Sequence, residues 1–171
     1  MSVDLIRETL EQHVNMRLAA GADMPLGRLV LGIGKGYEGI SFADKRRPSR
    51  KCYENALKYA EAKGLRYAEG YGLSGTLLKG GCVFPVEHAW CVDRDGRAVD
   101  PTWEEPEASF YMGIEFDVWQ VWRRVSQTGT FGMFHKGPTG AEDVQFMQSL
   151  APHLDLRPRR RPGAGAGLPK P

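Results

Sequence analysis

Three side chains that together can turn a thiol into a nucleophile occur here in the order Cys, His, Asp. They are Cys52 in Lys51-Cys52-Tyr53-Glu54-Asn55-Ala56, His88 in Glu87-His88-Ala89-Trp90, and Asp100 in Val99-Asp100-Pro101-Thr102-Trp103. A thiol needs a base to take its proton, and the base needs a third group to hold its ring in one tautomer. Such a set performs acyl transfer: Cys52 attacks a carbonyl, His88 moves the proton, and Asp100 steadies the imidazolium. The reading requires that elements distant in sequence bring the three together.

A helix beginning near Ser49 would position the thiol. Pro48 ends what precedes it, Ser49 is a suitable N-cap, and Gly64 stands where a left-handed glycine closes a helix. Tyr53, Ala56, Leu57 and Ala60 form its apolar stripe. Cys52 then lies in the first turn, where unpaired N–H groups and the helix dipole favour a thiolate. The run Lys45-Arg46-Arg47-Pro48-Ser49-Arg50-Lys51 adds positive charge just upstream.

A hairpin would position the other two. Strands are expected over 65–73 and 82–92, with a glycine-rich loop between them, and Asp93-Arg94-Asp95-Gly96-Arg97 is a strong turn signal. With a three-residue loop, Arg94 to Gly96, Asp93 pairs with Arg97 and Trp90 with Asp100. His88 and Asp100 then share a face as diagonal neighbours. A loop of two or four residues would put them on opposite faces.

The remaining segments frame these. Residues 3–19 read as a helix on Ile6, Leu10, Val14 and Leu18, stopped by Gly21, and Leu29-Val30-Leu31 as a short strand. Gly34-x-Gly36-x-x-Gly39 has the form of a dinucleotide fingerprint but opens no helix, so it reads as a loop. Val118, Trp119, Val121, Trp122 and Val125 have helical spacing, with Trp119 or Trp122 able to wall a cleft. Cys82, His88, Cys91 and Cys52 are too irregularly spaced for zinc. No metal or cofactor is called for.

The stretch from Cys52 to Trp103 resembles the transglutaminase-like superfamily of cysteine enzymes, in the size range of its small bacterial or phage-type members. Cys52 with Ala56 a turn later, Glu69-Gly70-Tyr71, His88-Ala89-Trp90 and Val99-Asp100-Pro101-Thr102 match its motifs in order. The resemblance implies an α+β papain-like core, with a nucleophile at the N-terminus of a helix packed on a small antiparallel sheet. It implies catalytic Cys52, His88 and Asp100, with Tyr71, Trp90, Trp103 and Tyr37 on the substrate side. The Cys52 N–H would be one oxyanion donor, with Tyr37 or Tyr71 the nearest guesses for a second. Small lasso-peptide leader peptidases share Cys, His-Ala-Trp and Asp. Arylamine N-acetyltransferases resemble the Cys52–Asn55 helix but are longer. A different class of function stays open: a binding module or inhibitor that keeps the fold without turnover.

Size and composition suit this. A chain of 171 residues with 42% hydrophobic and 26% charged residues is an ordinary single domain. There is no membrane-length apolar run and no signal-like start, and three cysteines argue against a disulfide framework, so the expectation is cytoplasmic. The expected division is one domain over 1–155 and a disordered basic tail over 156–171. Residues 157–171 hold five of the 23 basic residues and no acid, leaving 18 basic against 21 acidic side chains before them. The partner would be a peptide or amide substrate, such as a host or phage protein. Nucleic acid is not expected beyond weak contact through the tail.

Overall fold

The apolar positions 6, 10 and 14 recur at the helical period, and Ile6, Leu10 and Val14 form the buried side of α1 (Val3–Ala19). This computed structural model describes residues 3–42, 44–134 and 141–157. Gly21, at φ 75°, follows the end of α1. The segment expected as a strand at Leu29–Leu31 is instead helix α2 (Pro25–Ile33), with Pro25 in its first turn. Leu26, Leu29, Val30 and Ile33 recur at 0, 3, 4 and 7, and that period overrides the strand preference of one short triplet. The glycine-rich stretch after it is a strand, not a loop: β1 (Lys35–Glu38). Gly36 is needed there because a Cβ would run into the Val3 side chain.

Helix α3 (Cys52–Lys63) closes on Gly64 at φ 64°, as its sequence predicts. Its start differs, because Lys51, not Ser49, precedes the first turn and Arg50 takes φ 68°. After it come β2 (Arg66–Leu73), α4 (Gly75–Lys79) and β3 (Val86–Val92). Part of the expected 74–81 loop is thus helical, and β3 starts four residues later than expected. Then follow β4 (Ala98–Val99), β5 (Phe110–Phe116), α5 (Val118–Thr128) and α6 (Ala141–Leu150).

The five strands form an antiparallel sheet in the order β1-β5-β2-β3-β4. A bridge from Gly39 to Ala98 brings its outer edges together, so the sheet curls. Its alternation divides the core. Tyr67, Tyr71, Leu73, Ala89, Cys91, Met112 and Phe116 face the helices. Ala68, Trp90, Val92, Ala98 and Tyr111 face inward with Tyr37 and Trp103. The architecture is α+β, with six helices among the described residues. Leu156 is fully buried in the helix-side core, so packing runs past the expected boundary at 155. The tail from 158 and His135 lie outside the described residues.

Candidate active site

The hairpin that must aim Asp100 has the three-residue loop its sequence predicts. The Asp93 N–H donates to the Arg97 carbonyl at 3.1 Å, the Gly96 N–H to the Asp93 carbonyl at 3.1 Å, and Gly96 sits at φ 77°. Asp93 Oδ1 also accepts the N–H groups of Asp95 and Arg97. Cys91 pairs with Val99 and Val92 with Ala98. One step further, Trp90 stands opposite Asp100, and His88 shares its inward face.

The side chains meet there. His88 Nε2 lies 2.7 Å from Asp100 Oδ2, with both groups buried. A carboxylate only accepts, so Nε2 carries the proton and Nδ1 is left for Cys52. The Cys52 thiol, half-buried at the first position of α3, interacts with the imidazole and helps hold its proton. Burial alone would pull the His88 pKa down. The charge and hydrogen bond of Asp100, then Cys52, override it and push it to about 9. Burial would raise the Asp100 pKa, but His88 and the N–H groups of Thr102 (2.7 Å) and Trp103 (3.2 Å) on Oδ1 hold it below the usual range.

Several positioning contacts carry no sequence motif. The Tyr111 hydroxyl donates to Asp100 Oδ2 at 3.0 Å, the same oxygen that His88 engages. The buried Asn55 donates to the Pro48 carbonyl at 2.8 Å and to Thr102 Oγ1 at 3.2 Å, tying the approach to α3 to the turn after Asp100. Arg46 donates to the Asp100 carbonyl and lies over the Phe42 ring, while Lys51 pairs with Glu54. The basic run therefore serves partly as scaffold.

The aromatic residues sort differently from expectation. Trp103 stacks on His88, with ring centroids 3.9 Å apart and planes at 13°, covering one face of the imidazole. Gly72 makes this possible, since a Cβ there would meet the Trp103 ring at 2.6 Å. Trp90 and Tyr37, read from the sequence as substrate-side residues, are instead inside the inward core at 0% and 3% exposure. Trp90 fills the space over Gly113, and the Tyr37 hydroxyl donates to Glu115 at 2.7 Å, so neither reaches a substrate surface. Tyr71 faces the helix side and donates to Glu87 at 3.4 Å. Trp119 is exposed in a groove with Ile33, Phe116 and Phe146 that contains no triad residue.

No family model, curated protein or solved structure matches the chain. Its likeness to the transglutaminase-like superfamily rests on the motifs alone.

The other cysteines are apart from the site: Cys82 is exposed, and Cys91 is buried with its thiol on the Ala56 carbonyl. Among the described residues no three His, Cys, Asp or Glu side chains are grouped to hold a metal. A second buried carboxylate went unnoticed in the sequence. Glu69 accepts from the Tyr67 hydroxyl at 2.8 Å and from the N–H groups of Met133 (2.7 Å) and Phe134 (3.1 Å). Burial pushes its pKa to about 7, against those hydrogen bonds. Its place in Glu69-Gly70-Tyr71, an acid at a helix-facing strand position, is the signal that could have revealed it.

Proposed function

We propose that the chain is a cysteine-dependent acyl-transfer enzyme, acting on a peptide or amide bond with Cys52, His88 and Asp100 as its triad. The observation that carries this is the buried His88–Asp100 contact at 2.7 Å, with the thiol of Cys52 at a helix start acting on the same imidazole. With a pKa of about 9, His88 already holds the proton at neutral pH, and Cys52 Sγ attacks the carbonyl carbon from that proton-transferred pair. The C–N bond then breaks, and His88 returns that proton to the departing amine, leaving a thioester. Water, or a second acceptor, attacks the thioester with His88 as base and regenerates the thiol. The oxyanion faces the first turn of α3, where N–H groups have no acceptor within the helix.

The α+β arrangement, with a thiol-bearing helix start against an antiparallel sheet, supports a transglutaminase-like, papain-like core. No described helix is long and apolar enough to cross a membrane. The test is iodoacetamide alkylation of Cys52 at pH 6, where an ordinary thiol with a pKa of about 8.5 is almost wholly protonated. Wild type should react at least about tenfold faster than His88→Ala. Equal rates would leave an unactivated thiol and favour a non-catalytic binding module.

A further inference from the structure

Among the described residues one position that bears a side chain takes a positive φ: Arg50, at 68°, two residues before Cys52. The left-handed region crowds a Cβ against its neighbouring carbonyl, and glycine enters it without that cost. The turn itself needs the conformation. Before it, the Arg47 N–H donates to the Pro101 carbonyl at 3.0 Å and the Asn55 side chain to the Pro48 carbonyl at 2.8 Å. After it, the Asn55 N–H donates to the Lys51 carbonyl at 2.8 Å as α3 begins. Ser49 and Arg50 alone join these fixed points. A glycine would make the same turn unstrained, so the strain is explained by the arginine side chain and not by the turn.

Three of the other four cations between 45 and 51 are engaged elsewhere. Arg46 donates to the Asp100 carbonyl and lies over Phe42, Arg47 lies over the Tyr59 ring at 5.7 Å, and Lys51 pairs with Glu54 at 3.5 Å. Lys45, which is exposed, stands further back along the chain. Arg50 is exposed and, among the described residues, makes no hydrogen bond or ion pair. The nearby acids are taken: Glu54 by Lys51 and Lys58, Asp44 by Tyr59 and Lys63, and Glu87 by Tyr71. Two residues span at most about 7 Å of chain. An extended arginine covers that distance, so its guanidinium can stand beside whatever approaches the thiol.

We propose that Arg50 selects an acidic side chain next to the scissile bond, so that the substrate is a peptide with Glu or Asp beside the carbonyl that Cys52 attacks. The planar guanidinium takes a carboxylate in a two-pronged contact. The inference rests on the thiol reading of Cys52.

The first test compares iodoacetate with iodoacetamide on the full chain, two reagents of similar size that differ in charge. Cys52 Sγ displaces iodide from either, and labelling is read at Cys52 by peptide mass spectrometry, with the exposed Cys82 as internal reference. In water a unit charge about 6 Å from another is worth about a threefold change in rate. The iodoacetate-over-iodoacetamide ratio should therefore fall at least about threefold in Arg50→Gly and Arg50→Gln, and hold in Arg50→Lys. It should also fall for wild type in about 1 M salt, which screens beyond about 3 Å. Arg50→Gly should meanwhile melt about 2–4 °C higher, because the strain leaves with the side chain. Peptidyl acyloxymethyl ketones, from which Cys52 Sγ displaces a carboxylate, extend the test to a substrate-like chain. A probe with Glu beside the warhead should label wild type at least about threefold faster than one with Gln, and Arg50→Gly equally. Ratios indifferent to both Arg50→Gly and Arg50→Gln would overturn the assignment, while His88-dependent iodoacetamide labelling left the thiol reading standing. Iodoacetamide labelling indifferent to His88→Ala would overturn the thiol reading, and the substrate assignment with it.

Discussion

At the scale of single residues, the state of the site turns on one oxygen. Asp100 Oδ2 accepts from both His88 and Tyr111, while Oδ1 is held by two backbone N–H groups. The His88 pKa of about 9 depends on that carboxylate, because burial alone acts in the opposite direction. In Asp100→Asn the His88 titration should therefore fall to or below its reference of about 6.5, read by NMR of the ring protons. Turnover should drop by about three to four orders of magnitude, as expected when the ring loses its orienting acceptor. A titration unchanged at about 9 would remove Asp100 from this role. Tyr111→Phe acts with the opposite sign: with one donor lost, Oδ2 becomes the stronger partner for the imidazolium. The His88 titration should move up, at a stability cost of about 1 kcal/mol. A downward shift would mean that the hydroxyl holds the carboxylate in place and does not compete for it.

At the scale of elements, register does the positioning. His88 and Asp100 meet because the Arg94–Gly96 loop has three residues. Inserting one residue into that loop should put Asp100 on the opposite face and abolish the His88-dependent alkylation of Cys52, with the far-ultraviolet circular dichroism retained. Gly96→Ala is the milder probe: a Cβ meets nothing within 4 Å, so only the φ of 77° is strained. A loss of about 1 kcal/mol, or about 2–4 °C in Tm, is expected.

This hairpin was legible beforehand because Asp-x-x-Gly turn chemistry is local. So was the C-terminal end of α3, where Gly64 supplies the left-handed conformation. The start of α3 was misplaced by two residues because Ser49 looks like a cap, whereas the tertiary contacts of Asn55 with Pro48 and Thr102 fix the true start. Tyr111 was invisible for the same reason. Nothing around it in Phe110-Tyr111-Met112 distinguishes it, and it finds Asp100 through the pairing of β5 with β2. The burial of Trp90 was not legible because an aromatic beside His88 reads the same whether it faces a cleft or fills the space over a glycine, and that of Tyr37 because its partner Glu115 is distant in sequence.

At the scale of the whole molecule, two buried groups make stability depend on pH in the same direction. Glu69 has a folded pKa of about 7, above its reference of 4.5, so the folded state holds its proton longer than the unfolded chain. Stability falls as pH rises between those values, and the penalty is complete above about 7. His88, with a folded pKa of about 9 against 6.5, contributes stability that is whole below 6.5 and lost as pH rises through about 9. Asp100 works the other way: its depressed pKa contributes stability above 3.8 that is lost as pH falls through its folded value. The thermal midpoint should therefore peak on the acidic side, near pH 5, and decline in two stages toward pH 9. Cys52→Ala is the background in which to measure it, so that the imidazole titrates without the thiol. There, Glu69→Gln should flatten the decline between pH 5 and 7 while lowering the whole curve, because the amide cannot accept from both Met133 and Phe134. His88→Ala should flatten the upper stage, which in this background ends below pH 9 because Cys52 no longer helps to hold the imidazole's proton. If the curve keeps its lower slope in Glu69→Gln, Glu69 is already ionised at pH 5, and its three hydrogen bonds outweigh its burial.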